Sequence, residues 1–291
     1  MDPRPVVVIT GATSGLGRFV ALELARGGVH LGVVARSGAK VDELRGEIEE
    51  IAPGTPVDAF LADLSSVRDV RRIGQEISAH YDQISVLINN AGVHAFSQRV
   101  TTEGFAEMVA VNYLAPWILT NALWENLVAG APARVVTVAS EAARLHAKSI
   151  TPSSDITVTD GYSRRESMTL YGRSKLMDIM FTQELARRLA GTGVTANCCS
   201  PGFNTTGLGR DLPFTGVLGK VLTTLRIGDP RRGAGIITRL AIDPAFGNTT
   251  GGFFSVKDAK PLECPEPGRD PEIQRELWDT TAVLLTSQPS G

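Results

Sequence analysis

Short runs rich in β-branched residues alternate along the chain with longer segments in which apolar positions return every three or four residues. The runs Val6 to Thr10, His30 to Ala35, Val57 to Leu61, Ser85 to Asn89, Ala133 to Ala139, Thr195 to Ser200 and Gly252 to Val256 read as strands. Between the second and third, Val41, Leu44, Ile48 and Ile51 share one helical face and leave Asp42, Glu43, Arg45 and Glu47 to solvent. A second covering helix is predicted over Val67 to His80, with Ser66 and Asp69 spaced as a capping box and Val70, Ile73 and Ile77 as its apolar stripe. Longer helices are predicted at Glu103 to Ala129 and Leu170 to Leu189. Short β-branched strands alternating with amphipathic helices belong to an α/β fold: a single doubly wound parallel sheet of about seven strands with helices on both faces. No linker, repeat or low-complexity tract divides the chain, so residues 1–291 are read as one domain.

Two stretches interrupt the rhythm. Arg144 to Thr169, rich in Ser, Thr and Asp, is long for a connection and precedes the helix at Leu170. Residues 203–230 mix Gly and Pro with a helical stripe of Val217, Leu218, Val221, Leu222 and Leu225.

Composition narrows the function by exclusion. Hydrophobic residues make up 43% and charged residues 21%, as in ordinary globular proteins, and the net charge of −2 gives no basic field for nucleic acid. Cys198, Cys199 and Cys264 form neither an even set nor a C-x-x-C pair, which fits a reducing, cytoplasmic setting. His30, His80, His94 and His146 lack metal-ligand spacing, so no metal is expected. The apolar run Val6 to Ile9 is too short for a signal sequence, and no transmembrane segment is predicted elsewhere.

The turn Thr10-Gly11-Ala12-Thr13-Ser14-Gly15-Leu16-Gly17 lies between a predicted strand and a predicted helix, the setting of a dinucleotide fingerprint. Gly11 suits the tight turn, Gly15 the approach of a pyrophosphate to backbone amides, and Gly17 the packing of helix on strand. The second strand runs out in Ala35-Arg36, where an acidic residue would select NAD. Arg36 there suits the 2′-phosphate of NADP, with a solvated surface arginine as the plainer alternative, so NADP is expected ahead of NAD. Further on, Tyr171 and Lys175 sit at i and i+4, one face of a helix. An ammonium beside a phenol that titrates near pH 10 in water favours its ionised form and suits it to proton exchange.

With Gly11/Gly15/Gly17, Asn89-Asn90-Ala91-Gly92, Ser140 and Tyr171/Lys175 in this order, the chain resembles the short-chain dehydrogenase/reductase family over nearly its whole length. It looks most like the retinol dehydrogenase and WW-domain oxidoreductase branch. The strings that carry this are 131–140, Phe181 to Val194 and Thr250 to Ser255. No counterpart of that branch's membrane-anchoring N-terminus is expected from this sequence. The resemblance implies a Rossmann fold and hydride transfer between NADP(H) and an alcohol/carbonyl pair on a hydrophobic small molecule of retinoid, steroid or lipid type. It implies Tyr171 as the acid or base, Lys175 as its pKa-lowering neighbour and ribose ligand, Ser140 as the substrate-orienting hydroxyl and Asn112 as holder of a relay water. Cofactor contacts are implied for Asp63-Leu64 at the adenine, Asn90, Ala91 and Gly92 at the ribose, and Pro201, Gly202 and Thr206 near the nicotinamide.

Each of these residues has a plainer reading: a packed tyrosine, a turn serine, a helix asparagine, an Asp-Leu-Ser helix entry. It is their order beside a nucleotide loop that favours chemistry. The separation of Ser140 from Tyr171, 31 positions, is longer than the family's usual one. The intervening 144–169 insertion is expected either to wall the pocket or to cover the helix face through which relatives form homodimers. Residues 203–230 occupy the place of the family's substrate lid, although the same stripe would also close a core, and Lys220 and Arg226 give only weak support for membrane contact. The rival from another class is an NADP-binding sensor or scaffold without catalysis.

Overall fold

The computed structural model describes residues 4–147, 149–202 and 230–287. The expected strands form as β1 (Val6–Thr10), β2 (His30–Ala35), β3 (Val57–Leu61), β4 (Val86–Asn89), β5 (Ala133–Val138), β6 (Val194–Ser200) and β7 (Phe253–Ser255). They lie in one sheet in the order β3-β2-β1-β4-β5-β6-β7-β8, parallel except for β8 (Pro261–Leu262), which returns antiparallel to β7. Two residues, one of them proline, are too few to leave a periodic trace, and the sequence pattern does not reveal this strand.

The chain leaves β1 toward β2 on one side and resumes beyond it at β4 on the other, so β1 and β4 are neighbours at the point where the winding reverses. The strands are apolar on both faces because helices cover both. Val8, Leu87 and Val135 join the core beneath one layer, while Val7, Ile9, Ile88 and Val136 join the core beneath the other. The second layer contains α1 (Gly15–Arg26), α2 (Gly38–Ile51) and α10 (Pro230–Ile242); the first contains α3 (Val67–His80), the 107–129 region and the two longest helices.

The region expected to be helical from Glu103 begins later and is broken. A turn with Gly104 at φ +85° precedes α4 (Glu107–Val109), a π-helical turn at Ala110–Leu114, α5 (Ala115–Ala122) and α6 (Trp124–Ala129). Pro116 accounts for the widened turn: it has no N–H, so the Asn112 carbonyl four residues earlier receives no α-helical hydrogen bond. The expected capping box at α3 is half realised. Ser66 Oγ accepts from the Asp69 amide at 3.2 Å, but the Asp69 carboxylate accepts from the Asp63 amide at 2.6 Å instead of reaching back to Ser66.

The insertion is not a bare loop. It contains the end of α7 (Ala142–His146), all of α8 (Pro152–Thr157) and the start of α9 (Glu166–Arg188), the helix that carries Tyr171 and Lys175. The helix that sheathes the distal half of α9 is α11 (Pro271–Ser287), not the insertion. Phe181 stacks on Trp278 with ring centroids 5.7 Å apart and planes 6° from parallel, and the Arg188 guanidinium lies 4.7 Å over the same indole. Gln274 donates to Gln183, and Arg188 pairs with Asp279 at 2.9 Å.

Trp278 is the centre of that seam. Trp278→Ala is expected to destabilise the fold by about 3–5 kcal/mol, because a buried aromatic is lost and its cavity cannot fully collapse. Urea unfolding of the variant against the parent measures this.

Candidate active site

Residues at the carboxyl ends of β1, β4, β5 and β6 converge on the winding reversal, where an open α/β sheet has its crevice. The glycine turn follows β1 and opens α1. Gly11 and Gly15 have φ of +70° and +56°, a region that disfavours side chains, and a Cβ on Gly17 would lie 2.3 Å from the Gly11 carbonyl oxygen. The result is a concavity walled by backbone, with the first amides of α1 directed to it, which fits a dinucleotide's phosphates. Ser14 is the N-cap of α1 in extended conformation and its side chain makes no capping bond. Thr13, Ser14 and Leu16 all retain some solvent contact on this turn.

The turn is braced from two sides. The Gly11 amide donates to Val34 of β2 at 3.1 Å. Across the reversal, Asn90 Nδ2 donates to the Thr10 carbonyl at 2.9 Å, while Thr10 Oγ1 accepts from the amides of Asn90 and Ala91, each at 3.0 Å. The Asn90 side chain therefore shapes the loop. Gly92 lies where a Cβ would come within 3.5 Å of Lys175 Nζ. Arg36, immediately beyond β2, is exposed and makes no ion pair among the described residues. Asp63 uses Oδ1 to accept from the Ser65 amide and hydroxyl at 3.0 and 2.9 Å, so the helix-entry role is realised by one of its oxygens. Leu64 packs against the first core. Pro201 and Gly202 follow β6, with Gly202 at φ +76°. Thr206 and the 203–230 stripe lie outside the described residues, apart from Pro230 at the start of α10.

Ser140, Tyr171 and Lys175 are brought together. Ser140 follows β5, and its hydroxyl lies near enough to the Tyr171 hydroxyl to favour the phenolate. Tyr171 is 8% exposed on α9, and the glycine after it lets α7 approach closely: a Cβ on Gly172 would lie 2.8 Å from the Ala142 carbonyl. Lys175 is 4% exposed; its Nζ donates to the Val138 carbonyl and to Asp178 Oδ2, both at 2.8 Å. Burial pushes the Tyr171 phenol upward, and the Asp178 carboxylate adds to this. The Lys175 ammonium pulls it down as the sequence suggests, and the Ser140 hydroxyl adds to that pull, but in the protein alone the net direction is up. Burial disfavours the Lys175 ammonium, yet Asp178 and Tyr171 outweigh it and hold the group above its ordinary range.

Asn112 occupies the π-helical turn, 1% exposed. Its Nδ2 donates to the Val93 carbonyl at 3.0 Å and to Ser174 Oγ at 2.9 Å, and its Oδ1 accepts from the Val93 amide at 2.8 Å. Both amide protons are thus spent holding the strand-four loop against α9. Its main-chain carbonyl is the acceptor that Pro116 leaves without an α-helical donor.

Two residues outside the sequence reading also shape the site. The His94 ring stacks on Tyr171 at 4.8 Å between centroids and 30° between planes. Ser167 gives its proton to the Arg164 carbonyl at 2.7 Å, so its oxygen accepts from His94 Nε2–H at 3.2 Å; burial lowers the His94 pKa and favours the neutral ring. Asp178 is the other. It lies three residues beyond Lys175 on the same helix face, a spacing open to inspection in the sequence. The insertion reaches this region directly: the Tyr162 hydroxyl bonds the carbonyls of Ala95 and Ser97, each at 3.0 Å, and Arg164 lies 5.0 Å over the Phe96 ring. Ala95, Met108, Ala142 and Tyr171 form an apolar cluster, with Val93, Tyr162 and Leu170 packed against it.

A backbone cradle at the winding reversal and a serine–tyrosine–lysine group beside it are the parts of a nicotinamide-dependent oxidoreductase. The chain belongs to the short-chain dehydrogenase family, whose model matches residues 5–152, and acts as an oxidoreductase on CH–OH or C=O groups. It is 36% identical over 296 residues to human retinol dehydrogenase 14, covering 96% of this chain and 85% of that protein. Human retinol dehydrogenase 13 is 32% identical over 293 residues, covering 97% of this chain and 85% of the relative. Among solved structures, an uncharacterised protein from Mycobacterium paratuberculosis superposes with a TM-score of 0.74 at 27% identity, covering 98% of this chain and 95% of its own. A blue fluorescent protein from a metagenomic library, in complex with NADPH, gives 0.68 at 26% identity over 88% of this chain and 97% of its own.

Tyr162 is the hinge pin between insertion and pocket. Tyr162→Phe is expected to cost about 0.5–1.5 kcal/mol of stability, the net worth of a hydrogen bond whose acceptors regain water. Chemical denaturation monitored by tryptophan fluorescence checks it.

Proposed function

We propose that this protein is an NADP(H)-dependent oxidoreductase that reduces the carbonyl of a hydrophobic ketone or aldehyde, retinoid-, steroid- or lipid-like, to an alcohol. The observation that carries the proposal is the meeting of Ser140, Tyr171 and Lys175 at the mouth of the glycine cradle. The nicotinamide dinucleotide supplies the hydride when bound. The backbone of Gly11 to Gly17 would hold its pyrophosphate, with Asn90, Ala91 and Gly92 beside the ribose and Asp63 and Leu64 beside the adenine. Pro201, Gly202 and Thr206 are assigned to the nicotinamide end. Arg36 is assigned to the 2′-phosphate, a choice supported by its exposure and by the NADPH in the related blue fluorescent protein.

In this reading Ser140 donates a hydrogen bond to the substrate oxygen and orients the carbonyl. Tyr171 gives its phenolic proton to that oxygen as it becomes an alkoxide. Lys175 has three protons and uses two on Val138 and Asp178, which leaves one for the cofactor ribose. Its charge stabilises the phenolate left behind. The Asn112 main-chain carbonyl holds the water through which Tyr171 is reprotonated. The apolar cluster around Tyr171 favours a hydrophobic substrate and excludes water from the proton transfer. The retinol dehydrogenase relatives support the same substrate class. The 144–169 insertion walls this pocket, and the 203–230 segment is assigned as its lid, within one domain. Three free, buried thiols support a cytoplasmic setting, and no described helix is long and apolar enough to cross a membrane.

Tyr171→Phe is expected to lower kcat by about 10²- to 10⁴-fold while leaving NADPH binding nearly intact, since it removes one proton-transfer group. Turnover across a panel of aldehydes and ketones, with a thermal shift on adding NADPH, checks this. A shift without turnover in the parent would instead favour a sensor or scaffold. Arg36→Ala is expected to weaken NADPH binding by about 10-fold and NADH binding hardly at all, the loss of one charged hydrogen-bond partner. Fluorescence titration of the two nucleotides separates them.

A further inference from the structure

Along α9, Tyr171, Lys175 and Asp178 occupy positions i, i+4 and i+7 of one face. The Asp178 side chain is 0% exposed and accepts from Lys175 Nζ through Oδ2 at 2.8 Å. Its other oxygen, Oδ1, is buried with no hydrogen-bond partner among the described residues. A half-satisfied carboxylate is a poor structural element, because an apolar residue of similar volume would avoid the desolvation that its charge and its unbonded oxygen incur. Val138 accepts from the same ammonium but carries no charge, so the counter-ion role falls to Asp178. Its charge acts first on Lys175, whose ammonium it stabilises, and through the same field it opposes the pull of Lys175 on Tyr171.

We infer that Asp178 is a positioning residue of this site: it fixes the Lys175 ammonium beneath Tyr171 and, as its counter-ion, sets the pH at which Tyr171 releases its proton. The inference rests on the assignment of Tyr171 and Lys175 given above. The other ionisable groups near the pair are His94, stacked on Tyr171 and kept neutral by burial, Tyr113 from the π-helical turn, and Cys198 and Cys199 from β6. Burial pushes the phenol of Tyr113 and the thiol of Cys198 upward, and that of Cys199 up to about 12, so all three stay neutral in the working range. Lys175 is therefore the cation Asp178 answers. Burial raises the Asp178 carboxyl to about 6 against the pull of Lys175. Above that pH the carboxylate is charged, offsets the ammonium and keeps the phenol protonated, the form a carbonyl reductase requires.

The sign of the effect is testable with Asp178→Asn, Asp178→Glu and Tyr171→Phe. In nucleotide-free protein, the tyrosinate absorbance abolished by adding Tyr171→Phe reports that phenol alone; in Asp178→Asn its midpoint is expected about one pH unit or more lower. The descending limb of kcat/KM for NADPH-dependent carbonyl reduction is expected to move down equally, and Asp178→Glu, which keeps the charge, to stay near the parent. A midpoint unmoved in Asp178→Asn, or an equal shift in Asp178→Glu, overturns the inference. If Tyr171→Phe leaves turnover intact, the assignment of the proton donor fails, while the absorbance titration still decides the counter-ion role. Folding is checked by near-ultraviolet circular dichroism, with Asp178→Ser as a second neutral variant. If neither neutral variant folds, the carboxylate is a structural requirement and the inference falls.

Discussion

A single ammonium carried into the joint between helix and sheet constrains much of this molecule. Taking such an ion out of water costs several kcal/mol unless fixed partners replace its hydration. Lys175 obtains them from the Val138 carbonyl, at the last residue of β5, and from Asp178 on its own helix. That requirement fixes the height of α9 against β5, and with it Tyr171 one turn above and Ser140 two residues beyond Val138. The strand-four loop then passes closely enough that a Cβ on Gly92 would touch Lys175 Nζ at 3.5 Å. Asn112 locks that loop to α9 through Val93 and Ser174.

The cradle depends on a different economy. Its wall is backbone, braced by the Thr10 and Asn90 side chains, and the two strands at the winding reversal stabilise it together. Thr10 and Asn90 exchange hydrogen bonds across β1 and β4, so the loop's conformation is tied to the register of the central strands. A loop held in this way keeps its amides oriented without depending on a ligand to order it, which lowers the entropic cost of binding. The chemistry-bearing helix and the phosphate-holding loop thus meet on the same sheet, each fixed to it independently.

How much of this was legible depended on the range of the interactions. Strands β1, β2 and β3 have the limits the sequence pattern predicts; in β1 and β2, residues buried on both faces leave nearly continuous apolar runs. The glycine turn and the Tyr171/Lys175 pair were legible because their chemistry is local. Pro116, although visible, did not announce that the helix beside it would widen around Asn112. Strand β8 was hidden by its brevity. His94 could not be linked to Tyr171, since 77 positions of chain separate two rings that stack only after the insertion folds back on the strand-four loop. The sign of the balance at Tyr171 was equally out of reach. Spacing reveals the cation beside a phenol, but not the depth of burial or the carboxylate that answers that cation.

The distal half of α9 has a further consequence for how the molecule meets its neighbours. A long helix at the side of such a sheet ordinarily offers a broad apolar stripe to another copy, and here the chain's own final helix occupies it, with Trp278 wedged between Phe181 and Arg188. Pairing through that flank would first require α11 to be peeled away, exposing the indole and breaking its contacts with Gln183 and Arg188. That flank is occupied by an intramolecular partner at very high effective concentration, which any other surface seeking it would have to displace.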